Sequence, residues 1–297
     1  MAVLIFTMFS IFTLTFSVFS HAKEALMTPP APPKIIVWQQ TFDHPTNIMM
    51  TILTQALDIT KAEFGDYEIV PSIPMEQKRA LSTLSDKYEG DLDVAHFVSS
   101  EGREKSAIPV RIPILEGLLG YRVCLIKQNH QYKFSGINNI QDFIDKNITI
   151  GQQQDWLSTK VLRGNGIQVQ TSYKYSLLFG QLQKQRFDCF LRGINEITEE
   201  LELHESANFV VENNLLFHYP FPVFFFVNEG RPDLAYRLTK GLTVLQHNGF
   251  LTKLLENYYK DKLKTLHLGT RKVFHIENTF LPDKSLHSIN TIPWLPL

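Results

Sequence analysis

The sequence predicts an α/β protein of two lobes, each a mainly parallel sheet flanked by helices, joined by two hinge crossings. Three observations predict it. Short apolar runs rich in β-branched and aromatic residues alternate with stretches of helical periodicity, as strand–helix–strand units require. That alternation runs twice, and between the two series Pro109 and Pro113 interrupt an irregular stretch at 108–116. The length of 297 residues exceeds one small core, and 44% hydrophobic side chains can fill two.

In the first series, 34–38 reads as a buried strand, 45–60 as a helix, 67–70 as a strand, 75–85 as a helix and 93–98 as a strand. The second series opens with a strand at 121–126, a short helix at 140–145 and a strand at 148–151. Asp155 has the side chain of an N-cap, so a helix is expected from there through Leu162, stopped by Gly164 and Gly166. A strand at 167–170, a helix at 175–184, a strand at 187–191 and a helix at 194–203 follow. The Phe-rich run 222–227 is a strand that takes the chain back to the first lobe, where helices at 234–245 and 251–259 complete it. The expected boundaries are 34–116 for the first part of lobe I, 117–220 for lobe II and 221–262 for the return. Residues 263–297 are left as a C-terminal tail of low regularity.

Residues 1–22 stand apart. Positions 1–20 carry no charge and five Phe, and Ser20 and Ala22 put small residues where a signal peptidase reads. We read 1–22 as a secretory signal peptide, with an uncleaved membrane anchor as the alternative, and 23–33 as a stiff Pro-rich leader. The location this implies is periplasmic. The two cysteines, Cys124 and Cys189, each sit in an apolar run. Buried free thiols are the plain reading, and an exported location permits a disulfide.

Charge and motifs exclude more than they assign. The 29 basic and 30 acidic side chains leave a net charge of −1, with no Lys/Arg block, so no nucleic-acid surface is expected. The ten histidines show no metal-ligand spacing, and Gly164 and Gly166 follow a helix and precede a strand, the reverse of a dinucleotide loop. No nucleophile elbow or Walker loop appears, so neither cofactor nor metal is expected. The carboxylates Glu196, Glu199, Glu200 and Glu202 read as a solvated helix face. What points to a site is a set of groups just past strand ends. Arg103 follows the third strand, Arg192 follows the strand at 187–191, and Gln154, Asp155 and Trp156 lead from a strand into a helix start. Arginine forks match carboxylates, a helix start favours an anion, and Trp38 or Trp156 offers a stacking wall.

The order of elements, together with Ser100-Glu-Gly-Arg-Glu-Lys105, the stretch 112–122 and Arg186-Phe-Asp-Cys-Phe-Leu-Arg-Gly193, resembles the extracytoplasmic solute-binding proteins of family 3. The resemblance covers about 34–262 and implies the type II periplasmic binding fold, a small-molecule solute and an inner-membrane transporter as partner. A sensor is the alternative partner, and the chain is expected to be a monomer. It also implies that Arg103 grips a carboxylate. Amino-acid binders of the family carry an acid where this chain has Gly193, preceded by Arg192, and Glu196 is the nearest carboxylate. A cleft with Arg103 and Arg192 but no counter-acid favours an anionic or carboxylate-bearing solute over a zwitterion. The competing reading is a dehydratase-like enzyme using Glu196 or Asp188 as acid or base.

Overall fold

The computed structural model describes residues 31–43, 48–86, 91–289, 292, 294 and 295. The expected signal peptide and the leader up to residue 30 lie outside the described residues, as do the first positions of the helix expected over 45–60. The body beginning at Pro32 is one compact unit that holds both sheets. Among the described residues no helix is long and apolar enough to cross a membrane.

The first sheet contains β1 (Lys34–Val37), β2 (Glu68–Pro71), β3 (Val94–Val98) and β4 (Ile108–Val110). The second begins with β5 (Tyr121–Lys127), β6 (Ile150–Gln153), β7 (Val169–Ser172) and β8 (Cys189–Gly193). It also takes β9 (Phe209–Val211), β10 (Leu215–His218) and β12 (Lys272–His275), while β11 (Val223–Val227) returns to the first sheet. The orders are β2-β1-β3-β11-β4 and β12-β10-β5-β8-β6-β7, with β9 paired to β5. In the first sheet β1 runs parallel to β2 and β3, and β11 antiparallel to β3 and β4. In the second sheet β6 is parallel to β7 and β8, while β5 is antiparallel to β8, β9 and β10.

Strand alternation decides which residues fill which core. Along β11, Val223, Phe225 and Val227 join the large core on one face, and Phe224 and Phe226 join a smaller one on the other. Each fully buried Phe contributes roughly 1.5–3 kcal/mol, which is why this all-apolar strand lies inside its sheet and not at an edge. On β5, Val123 and Leu125 face the large core, whereas Cys124 and Ile126 face a separate core of lobe II. In the helix Ile48–Asp58, Ile48, Met49, Ile52, Leu53, Ala56 and Leu57 are buried on one stripe. Its carbonyl end is closed by Arg237, whose Nη2 donates to the Leu57 and Gly65 oxygens at 3.1 and 2.8 Å.

Several elements differ from expectation. The stretch 108–116 is not wholly irregular, because β4 pairs with β11 and Pro109 sits opposite Phe226 on an edge strand, where its missing donor is tolerated. The crossings therefore run over 111–120 and 219–222. Three strands of lobe II, β6, β7 and β8, lie two residues further along than expected, so Arg192 sits inside β8 and not past its end. β6 continues into Gln152 and Gln153, where the buried Gln152 side chain donates to the Leu191 carbonyl at 2.9 Å and accepts from Ser158 Oγ at 2.5 Å. The next helix is thus Leu157–Gly164, capped by Trp156 and not by Asp155, with no side-chain cap bond.

The cysteines are not free thiols: Cys124 on β5 and Cys189 on β8 point to the same face of adjacent strands and form a disulfide spanning 65 residues. The segment expected as a low-regularity tail supplies β12 and then joins both lobes. Asn165 Nδ2 donates to the Glu277 carbonyl at 2.8 Å, and Asn278 Nδ2 to the Pro220 carbonyl at 2.8 Å. On lobe I, Glu101 N donates to the Phe280 carbonyl at 3.0 Å, and the Ser285 hydroxyl donates to the Glu104 carboxylate.

Two predictions follow from these attachments. Alkylation of the denatured, unreduced protein finds no free thiol, and replacing both cysteines by Ser lowers the unfolding free energy in urea by about 2–4 kcal/mol. At the attachment of β12, His218 stacks on Tyr121 at 4.2 Å and meets His275 with Nδ1 to Nδ1 at 3.4 Å. Burial, and then His275, lower the His218 pKa from 6.5 to about 4. A folded-state value below the unfolded one means this stabilisation is complete above pH 6.5 and is lost as the pH falls toward 4. Urea midpoints fall over that window, and His218→Phe makes the decline shallower.

Candidate functional site

The crossings 111–120 and 219–222 lie side by side, with Tyr219 N donating to the Gly120 carbonyl at 3.2 Å and Ile114 N to the Val223 carbonyl at 3.0 Å. Between the lobes at this junction lies a cavity of about 230 Å³, below the roughly 300–1,000 Å³ of drug-sized sites, as suits a small solute. Lobe I lines it with Trp38, His96, Phe97 and Arg103, lobe II with Trp156 and Arg192, and the junction with Arg122 and Phe221.

Arg103 reaches the cavity because β3 ends at Val98 and turns at once into the short helix Glu101–Ser106, capped by Ser100. Its guanidinium donates from Nη1 to the Val98 carbonyl at 2.8 Å and from Nη2 to Gln77 Oε1 at 3.0 Å, and lies 5.7 Å from the Phe97 ring. No carboxylate among the described residues pairs with it. Burial pulls its pKa down to about 10, which still leaves it cationic at neutral pH. An arginine held by neutral oxygens, beside a cavity, is prepared for an anion.

Arg192 is in a different position. The sequence reading left it without a counter-acid; the structure gives it two. Nε meets both Glu200 oxygens at 2.8 Å, Nη2 meets Glu200 Oε1 at 2.6 Å, and Nη2 lies 3.1 Å from Glu196 Oε2. The rings of Trp156, Phe190 and Tyr175 surround the guanidinium at 4.9, 5.1 and 5.3 Å, and Tyr175 Oη donates to Glu200 Oε1 at 2.7 Å. Burial disfavours the charge, yet Glu196 and Glu200 hold the pKa above the ordinary range. Glu200 is therefore a buried partner and not part of a solvated helix face. The helix Ile197–Leu203 turns it back toward β8, a contact eight residues apart that helical spacing does not signal.

Glu196 lines the cavity, and its Oε2 also accepts from Gly193 N at 3.0 Å. A Cβ at position 193 would lie 2.9 Å from that oxygen and 2.7 Å from Asn195 Oδ1, so glycine stands there because the acid folds back over it. Trp38 is a core residue whose edge reaches the cavity, with Nε1 donating to the Met75 carbonyl at 2.9 Å. Trp156 lines the cavity from the other lobe, stacked on Phe190 at 6.3 Å. Gln154 and Asp155 are exposed in the turn after β6 and line grooves beside the cavity, not the cavity itself. The structure thus brings Arg103, Trp38, Trp156, Arg192 and Glu196 together and leaves Gln154 and Asp155 outside.

Asp188 lies elsewhere, bound to Lys133 Nζ at 2.5 Å and to Thr149 N and Oγ1 at 3.0 and 2.9 Å. Burial opposes its charge, but Lys133 and Thr149 hold its pKa below the ordinary carboxylate value. Such a group is an ion-pair partner and not a proton donor. Among the described residues no group of three His, Cys, Asp or Glu side chains is placed to hold a metal. The sequence reading passed over Arg122, His96, Gln77 and Asn195. Arg122, two residues after Gly120 and at the start of a strand, lacked the position just past a strand end that marked Arg103.

No protein-family model matches the chain, and no curated protein matches it. Solved structures do match. An ancestral arginine-binding protein bound to glutamine is similar over 76% of this chain and 97% of its own, at 15% identity and a TM-score of 0.55. A structure from work on glutathione import via GshT and the cystine ABC importer TcyBC of Streptococcus mutans covers 86% of this chain and 99% of its own, at 15% and 0.54. The VFT2 domain of BvgS from Bordetella pertussis covers 76% and 92%, at 13% and 0.55. With its two sheets and interlobe cavity, the chain has the two-lobed α/β fold of the type II periplasmic binding proteins.

Proposed function

We propose that this chain is an exported solute-binding protein that closes its lobes on a small carboxylate-bearing solute and presents it to an inner-membrane transporter. Arg103 carries the reading, as a cation at the cavity between the lobes with no carboxylate of its own among the described residues. The solute's carboxylate supplies that partner, Trp156 covers its apolar part, and contacts on both lobes favour the closed form over the open one. Neighbours of this fold that bind arginine or glutamine, or that belong to glutathione import, support solute binding and transport. The BvgS domain favours a second reading, in which ligand occupancy is presented to a membrane sensor. Dehydratase-like catalysis has less support: Asp188 is held by Lys133 and Thr149 away from the cavity, and Glu196 is engaged by Arg192.

Mass spectrometry of small molecules released from the native protein, with thermal shifts against small carboxylates, tests this. Arg103→Ala is expected to lose at least about 100-fold in affinity and the ligand-induced thermal shift, while the unliganded protein keeps its fold. A full shift in that variant overturns the assignment. Arg192→Ala behaves differently, lowering stability by about 3–5 kcal/mol in urea because it strands Glu200 without its partner.

A further inference from the structure

We propose that Arg122 is a second anion-binding residue of the cleft, so that the solute carries two carboxylates and spans Arg103 and Arg122. The inference rests on the reading of this cleft as the solute site. Four arginines among the described residues are buried to less than a tenth exposed: Arg122, Arg192, Arg237 and Arg271. Arg192 has Glu200, Arg237 has the Thr60, Leu57 and Gly65 oxygens, and Arg271 has the Leu266, Leu215 and Glu212 carbonyls. Arg122, at 3% exposure, has no such partner. Its Nε is buried without a hydrogen bond, and no carboxylate among the described residues pairs with it. It is held by the faces of Phe221 and Tyr219, with its guanidinium carbon 5.0 and 5.5 Å from their centroids.

Ring faces offset part of the cost of dehydrating a guanidinium and leave its donors unsatisfied. A buried cation of this kind is completed by an anion, and Arg122 lines the same cavity as Arg103. Its position is also fixed in advance. It is the second residue of β5, two after Gly120, where a Cβ would lie 2.4 Å from the Tyr219 carbonyl oxygen, so the two crossings pack closely just before the arginine. A solute with one carboxylate satisfies Arg103 and leaves Arg122 as it is; a dicarboxylate satisfies both. Glu196 and the buried, unpartnered Asn195 Oδ1 line the same cavity and accept from an amino group, so dicarboxylates with and without one are to be compared.

Calorimetric titration of the full exported protein with pairs that differ in one charge tests the inference. The pairs are succinate and glutarate against their monoamides, and L-aspartate and L-glutamate against L-asparagine and L-glutamine. At least one diacid is expected to bind about 10- to 100-fold tighter than its amide. Arg122→Gln reduces that preference below about threefold by weakening the diacid far more than the amide, whereas Arg103→Ala weakens both members of the pair. If Arg122→Gln does not fold, Arg122→Lys decides in its place: a preference weakened about tenfold supports the inference, and an unchanged one overturns it. Amides that bind as tightly as acids, with binding still lost in Arg103→Ala, overturn the role of Arg122 and leave the solute site standing. If no carboxylate of the panel binds, both readings fall.

Discussion

A guanidinium cannot shed its proton at neutral pH, so burying one obliges the surrounding structure to answer its charge. At the junction of the lobes this demand arises three times and is met in three ways. Arg192 is met in full, by two carboxylates and three rings, and becomes a structural rivet inside lobe II. Arg103 is met by a carbonyl and an amide oxygen, which orient it without neutralising it. Arg122 is met by ring faces alone. The deficit is least inside lobe II and greatest beside the crossings.

The same gradient separates what the sequence disclosed from what it concealed. Apolar alternation made β1, β3, β5, β8 and β11 readable, because each buries at least one whole face. β9 and β12 were not readable, since each is short and has exposed or half-buried positions, and β12 owes its place to β10 and not to its own pattern. β6, β7 and β8 were found but displaced, because their ladders run on into Gln152, Gln153, Thr171, Ser172, Arg192 and Gly193, residues whose pairing lies in the tertiary structure. Within the site, Arg103 was legible from its place after a strand. The neutralisation of Arg192 was not, since it depends on Glu200 turning back eight residues later, and neither was the isolation of Arg122, which depends on what is missing around it.

A net charge of −1 over the whole chain coexists with this local excess of positive charge. For the anionic solute proposed above, long-range attraction is therefore weak, and discrimination would come from short-range contacts inside the cavity. That places selectivity in dissociation more than in encounter, as is usual where a small site closes over its occupant.

The C-terminal strand has a consequence for how the molecule can be taken apart. The chain passes between the lobes at 111–120 and 219–222, again on its way from the helix Phe250–Lys264 to β12, and once more where Glu277 and Asn278 lead to Phe280 against lobe I. A single proteolytic nick in one passage thus leaves the lobes tied by the others. A shortened chain ending after that last long helix has a different defect: β10, whose Leu215, Leu216 and Phe217 are wholly buried, loses its parallel neighbour and becomes a bare sheet edge. Bare apolar edges recruit other strands, so the last thirty or so residues guard the protein against self-association as much as they complete its fold.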